Sequence, residues 1–117
     1  LTYEYLEKCQ LVLWDQPGTG FLECLACNIP TMILWTRLYC EEEAWCVDDF
    51  IQLEKVGLIH RTSQSLINEI QHFLIDPVVW MNDSQRKMTV QSFSNKYALT
   101  DDKWWQVWRV YLKQLKK

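Results

Sequence analysis

Apolar positions fall first in short runs and later in stripes, and the change of spacing marks out the elements. Leu11-Val12-Leu13-Trp14 is a continuous apolar run bounded by Gln10 and Asp15. With no period-2 alternation, it predicts a strand buried on both faces of a parallel sheet. Before it, Tyr3 and Leu6, flanked by Leu1, give one apolar side to a short helix that Thr2 caps and that runs through Lys8. After it, Asp15-Gln16-Pro17-Gly18-Thr19-Gly20 is a strong turn signal, and Phe21 to Cys27 reads as a helix closed at Asn28. Ile29-Pro30 forces an extended approach to a second buried strand, Thr31 to Trp35.

The spacing then becomes helical. Glu41 to Val56 is predicted as a helix with Trp45, Val47, Phe50, Leu53 and Val56 inward, closed by Gly57. Leu58-Ile59-His60 is a brief third strand. A helix starting within Thr62 to Ser65 carries Leu66, Ile67, Ile70, Phe73 and Leu74 at helical spacing as far as Ile75. Beyond the Asp76-Pro77 turn come helices at Val78 to Met81 and Ser84 to Tyr97, and a last one capped by Thr100. That helix bears Trp104, Trp105, Trp108, Tyr111, Leu112 and Leu115, whose spacings of three and four predict a packed stripe. Strands alternating with helices define an α/β layer fold. The expected architecture is a partial Rossmann-like parallel sheet of about three strands over residues 1–76 with a helical C-terminal extension over 77–117, one domain in all.

Composition narrows the functional classes. At 117 residues and 49% apolar content the chain builds one small core and not two. A net charge of -3 provides no basic field for nucleic acid. No apolar run reaches the roughly 18 to 20 residues that a membrane span needs, and Leu1 to Lys8 lacks a signal-peptide pattern. Five cysteines, an odd number with two in one predicted helix, point to reduced core thiols and a cytoplasmic setting. The chain opens without an initiator methionine, on Leu1, which marks it as an expected part of a longer protein.

Candidate chemistry concentrates at the first turn. The leading N–H groups of a helix have no internal partners, so a glycine-rich turn between a parallel strand and a helix suits a phosphate. Gly18 and Gly20 permit close backbone approach and Thr19 adds a hydroxyl, although such turns also serve structure alone. Arg37 and Tyr39, just after the second strand, reach the same rim, and Arg37 has an alternative partner in Glu41 to Glu43. Other titratable groups read as structural. His60 ends a strand alone, and His72 faces no obvious partner. Asp48 and Asp49 diverge by about 100° on a helix and suit a solvated face. Cys24-x-x-Cys27 lies in mid-helix with no second ligand pair, so neither metal nor redox use is expected.

The string LVLWDQPGTGFLECLACNIPTMILW from Leu11 to Trp35, followed by an acidic helix and Gly57-Leu58-Ile59-His60, resembles the C-terminal domain of GT-B-fold glycosyltransferases. Within that fold it is similar to a group of transferases of bacterial surface-carbohydrate biosynthesis. Asp76-Pro77-x-x-Trp80-x-Asn82 and Val90-Gln91-x-Phe93 extend the likeness over most of the chain. The turn departs from that group, having Gly18-Thr19-Gly20 where two adjacent hydroxyl residues are expected. The resemblance implies a nucleotide-sugar donor held by Gly18, Thr19 and Gly20. It also implies Glu23 on the ribose hydroxyls, Arg37 at the rim, no metal or other cofactor, and an N-terminal acceptor-binding domain outside this chain that supplies the catalytic base. Two rivals stay open. A sugar-nucleotide 2-epimerase of the same fold would use Thr36-Arg37 and Glu41-Glu42, and a non-catalytic interaction module would have kept only the fold.

Overall fold

A computed structural model describes residues 3–6, 8–38, 40–98 and 103–116. The elements in chain order are α1 (Tyr3–Leu6), β1 (Val12–Trp14), α2 (Thr19–Ala26), β2 (Thr31–Leu34) and α3 (Val47–Lys55). They continue as β3 (Ile59–His60), α4 (Ser63–Ile75), α5 (Pro77–Met81), α6 (Ser84–Tyr97) and α7 (Trp104–Leu115). The three strands form one parallel sheet in the order β1-β2-β3, with Val12 opposite Thr31 and Ile33 opposite Ile59. The fold is therefore α/β and Rossmann-like, as the alternating pattern predicts.

Two helices end alike and feed straight into strands. Asn28 follows α2 at φ 57° while Ile29 N–H donates to Cys24 at 2.8 Å; Gly57 follows α3 at φ 86° while Leu58 N–H donates to Leu53 at 3.0 Å. Each is a Schellman closure, which needs one left-handed residue and so selects Asn or Gly. Side-chain caps start α4, α5 and α6. Thr62 accepts from Ser65 N–H at 3.2 Å, Asp76 from Val79 N–H at 3.1 Å and Asp83 from Arg86 N–H at 2.8 Å. The caps expected at Thr2 and Thr100 lie outside the described residues.

The core is built from Phe21, Met32, Ile33, Leu53, Ile59 and Phe73, all at most 1% exposed, with Trp35, Trp80 and Phe93 around them. Helix α4 packs on β2 and β3, and α6 lies against both α2 and α3. A ladder of aromatic edges joins the layers: Trp35 meets Phe50 at 5.3 Å, Phe50 meets Phe93 at 5.4 Å, and Phe93 meets Tyr97 at 4.7 Å. Buried Thr31 ties the strands by donating its hydroxyl to the Val12 carbonyl at 3.0 Å.

Four expectations need correction. Strand β1 is not buried on both faces; it is an edge among the described strands, and Leu13 is half-exposed. Helix α3 begins at Val47 rather than Glu41, because Arg37 and Arg61 draw Glu42 out of any helical path, and Trp45 is exposed. The α7 stripe is not part of the packed core: no residue of that helix is buried among the described residues. Of the two cysteines expected in the core of one helix, only Cys24 is buried, and Cys27 is exposed at the helix end.

Candidate functional site

Strand β1 ends at Trp14, and the chain turns through exposed Asp15 and Gln16 before Gly18 becomes the N-cap of α2. Gly18 is extended, at φ -167° and ψ -173°, and offers no side-chain cap to the helix. Its carbonyl accepts from Leu22 N–H at 3.2 Å, which leaves the amides of Thr19, Gly20 and Phe21 without intrahelical acceptors. Thr19 is exposed, and among the described residues its hydroxyl has no hydrogen-bond partner. The turn therefore presents free N–H groups, one hydroxyl and the positive end of a helix dipole to solvent.

The two glycines differ in what they are for. A Cβ on Gly18 would meet nothing within 4 Å, whereas one on Gly20 would collide with the Trp14 indole. Gly20 is thus required by packing, and Gly18 leaves room for a ligand. Glu23, one turn further along α2, is exposed. Below it Cys24 is fully buried beside Thr31 and Trp14, and that burial pushes its thiol pKa up, away from nucleophile or metal-ligand use.

At the carboxyl ends of β2 and β3 a second group of charges assembles. Arg37 adopts the left-handed conformation, φ 62°, and both edges of its guanidinium reach Glu42, with Nε to Oε2 at 3.1 Å. Arg61, directly after β3, donates to Glu54 at 3.2 Å and to the Trp35 carbonyl at 3.2 Å, stacks over the Trp35 ring at 4.7 Å, and sits 3.5 Å from Glu42. The Glu42 side chain is 3% exposed. Burial alone would raise its pKa; a backbone N–H, the Arg37 bonds and the charges of Arg37 and Arg61 outweigh that and hold it below the usual carboxylate range. Arg37 is therefore committed to an acidic neighbour within this chain and does not bond Glu23.

The remaining candidates scatter. His60 is buried with both ring nitrogens engaged, Nε2 to the Gly57 carbonyl and Nδ1 to Ser65 Oγ, each at 2.7 Å. A carbonyl only accepts, so Nε2 carries a proton and donates to Gly57. His72 does have a neighbour, Glu69 at 3.4 Å. Asp48 is exposed, but Asp49 is no merely solvated residue: it takes the Lys96 ammonium at 2.7 Å and the Tyr97 hydroxyl, fastening α3 to α6. Tyr39 lies outside the described residues. Among the described residues no cluster of three or more His, Cys, Asp or Glu side chains could hold a metal ion.

One feature has no counterpart in the sequence reading. Arg86 stacks on Trp80 at 3.8 Å, donates to the Val56 carbonyl at 2.9 Å and the Trp80 carbonyl at 2.5 Å, and lies 3.3 Å from Glu69. Glu69 in turn accepts from the Trp80 indole at 2.7 Å. Arg86 and Glu69, with His60, Arg61 and His72, line a cavity of about 520 Å³ beside β3, and Gly18 to Gly20 take no part in it. Arginine 86 follows an Asp-x-x-Arg cap, the only local signal that could have drawn notice to it.

A parallel sheet whose strands each lead into helices, with a free helix N-terminus at the end of its first strand, defines a Rossmann-like unit suited to an anionic ligand. The family model of LIC12162 family transferases matches residues 2–112, and the chain belongs to that family. No curated protein and no solved structure matches it. Among the described residues no helix is long and apolar enough to cross a membrane.

Proposed function

We propose that this chain is the nucleotide-sugar-binding, C-terminal portion of a GT-B-type glycosyltransferase of surface-carbohydrate biosynthesis, working in the cytoplasm without a bound metal. The observation that carries the reading is the uncapped N-terminus of α2 at the end of β1, in a chain of a transferase family. The amides of Thr19 and Gly20 and the Thr19 hydroxyl hold the donor diphosphate. There they offset the negative charge that grows on the leaving group as the glycosidic bond breaks; preorganised donors of this kind are commonly the largest catalytic contribution. Glu23 accepts from ribose hydroxyls. The Arg37–Glu42 pair shapes the rim and brings little net charge, since each member neutralises the other. The acceptor and the general base belong to a preceding domain, across the interdomain cleft.

Release of nucleoside diphosphate by the full-length protein, assayed with common sugar nucleotides and an acceptor extract, tests this reading. Acceptor-dependent release supports it. Turnover of a sugar nucleotide with no acceptor would replace it with the epimerase reading, and no turnover of any donor would replace it with the interaction module.

A further inference from the structure

Helix α7 exposes a continuous stripe of large apolar side chains. Trp104, Trp105, Trp108, Tyr111, Leu112 and Leu115 are each 49 to 64% exposed. At 100° per residue they occupy little more than about a third of the helix circumference. Arg109, Lys113 and Lys116, all exposed, lie together along one flank of that stripe, beside Trp105. Charge is segregated as sharply as hydropathy: five of the chain's 12 Lys and Arg residues, and none of its 15 Asp and Glu, lie between Lys103 and Lys117.

We propose that α7 is an in-plane anchor to an anionic lipid bilayer. Three tryptophans and a tyrosine suit the headgroup boundary, where an amphipathic ring keeps its apolar body in the acyl layer and its N–H or O–H in water. The long stems of Arg109, Lys113 and Lys116 let their charges rise to lipid phosphates while the stems cover apolar surface. The acidic remainder of the chain is repelled by the same surface, so the helix meets it first. A second copy of the chain is a poorer occupant, because an antiparallel pair of α7 helices would place their cationic flanks side by side. No membrane span is needed, and a helix of 12 residues, about 18 Å long, lies along the surface rather than across it.

Co-flotation of the full-length protein with vesicles of equal parts phosphatidylglycerol and phosphatidylcholine, against phosphatidylcholine alone, tests this. The expected result is partitioning to the anionic vesicles only, reduced at least about tenfold in both Arg109→Glu/Lys113→Glu and Trp104→Ser/Trp108→Ser. Both variants are expected to keep the parent melting temperature, because no α7 residue belongs to the core. Three results would overturn the proposal. They are absence of binding to anionic vesicles, binding unchanged by the charge reversal, or a dimer by light scattering that Trp104→Ser/Trp108→Ser dissociates, which would assign the face to a second copy.

Discussion

The Trp14 indole occupies the space that a side chain on Gly20 would need: a Cβ there would lie 2.8 Å from both Cζ2 and Cζ3 of the ring. The strand that leads into the turn thus dictates which glycine the turn must keep. Gly20→Ala is expected to destabilise the fold by about 1–3 kcal/mol through overpacking. Trp14→Phe in the same background should recover part of that loss. Urea unfolding of the four proteins measures it, and additive losses would show that the two residues do not share the space.

Arg86 joins α6 to the α3 terminus, α5 and α4 through two carbonyls, a carboxylate and a ring. Its side chain is only 12% exposed. Arg86→Ala leaves Glu69 and the Val56 carbonyl under-satisfied and should cost about 2–4 kcal/mol. Arg86→Lys should rescue little, since a point charge neither stacks nor forks to several acceptors. Recovery of the full melting temperature by lysine would refute this account of the residue.

The Asp49 link to Lys96 and Tyr97 predicts a pH dependence. The Lys96 bond, then the Tyr97 bond, holds Asp49 below its ordinary value of 3.8. A depressed carboxylate stabilises the fold fully above its unfolded pKa, and the contribution fades as pH falls through the lower folded value. The stability gap between the parent and Asp49→Asn should therefore be constant near neutral pH and narrow below about pH 4. Glu42 shifts in the same direction but is present in both proteins, so it cancels from the comparison. A gap that widens on acidification would contradict the assignment.

His60 serves structure. His60→Ala removes two buried 2.7 Å bonds and leaves the Gly57 carbonyl and Ser65 searching for partners, so a loss of about 2–4 kcal/mol is expected. If the full-length variant instead stayed stable and lost turnover, His60 would have to be moved into the catalytic machinery.

Much of the fold was readable because its signals are local. A left-handed closure needs Asn28 or Gly57, a cap needs Thr62, Asp76 or Asp83, and these residues mark boundaries that the structure keeps to within a residue or two. What failed was decided at long range. Glu41 to Cys46 has the composition of a helix, yet Glu42 is claimed by two arginines, one of them 19 residues away. The α7 stripe shows helical spacing, but spacing does not say what covers it. At the candidate site the turn and the helix start were legible. That Gly20 belongs to Trp14 was not, since it depends on a strand side chain meeting the helix start, whereas the Arg37 bond to Glu42 falls within the acidic partners the sequence offered it.

The most direct test of donor binding uses the empty space at Gly18. An aspartate there would cap α2 and compete for the same amides that a diphosphate needs. Calorimetric titration of the full-length protein with common nucleoside diphosphates should give binding for the parent and about tenfold weaker binding for Thr19→Ala. For Gly18→Asp it should give no measurable binding, together with a melting temperature equal to the parent's or higher. No binding by the parent, or binding to Gly18→Asp as tight as to the parent, would contradict the claim that this turn holds the donor.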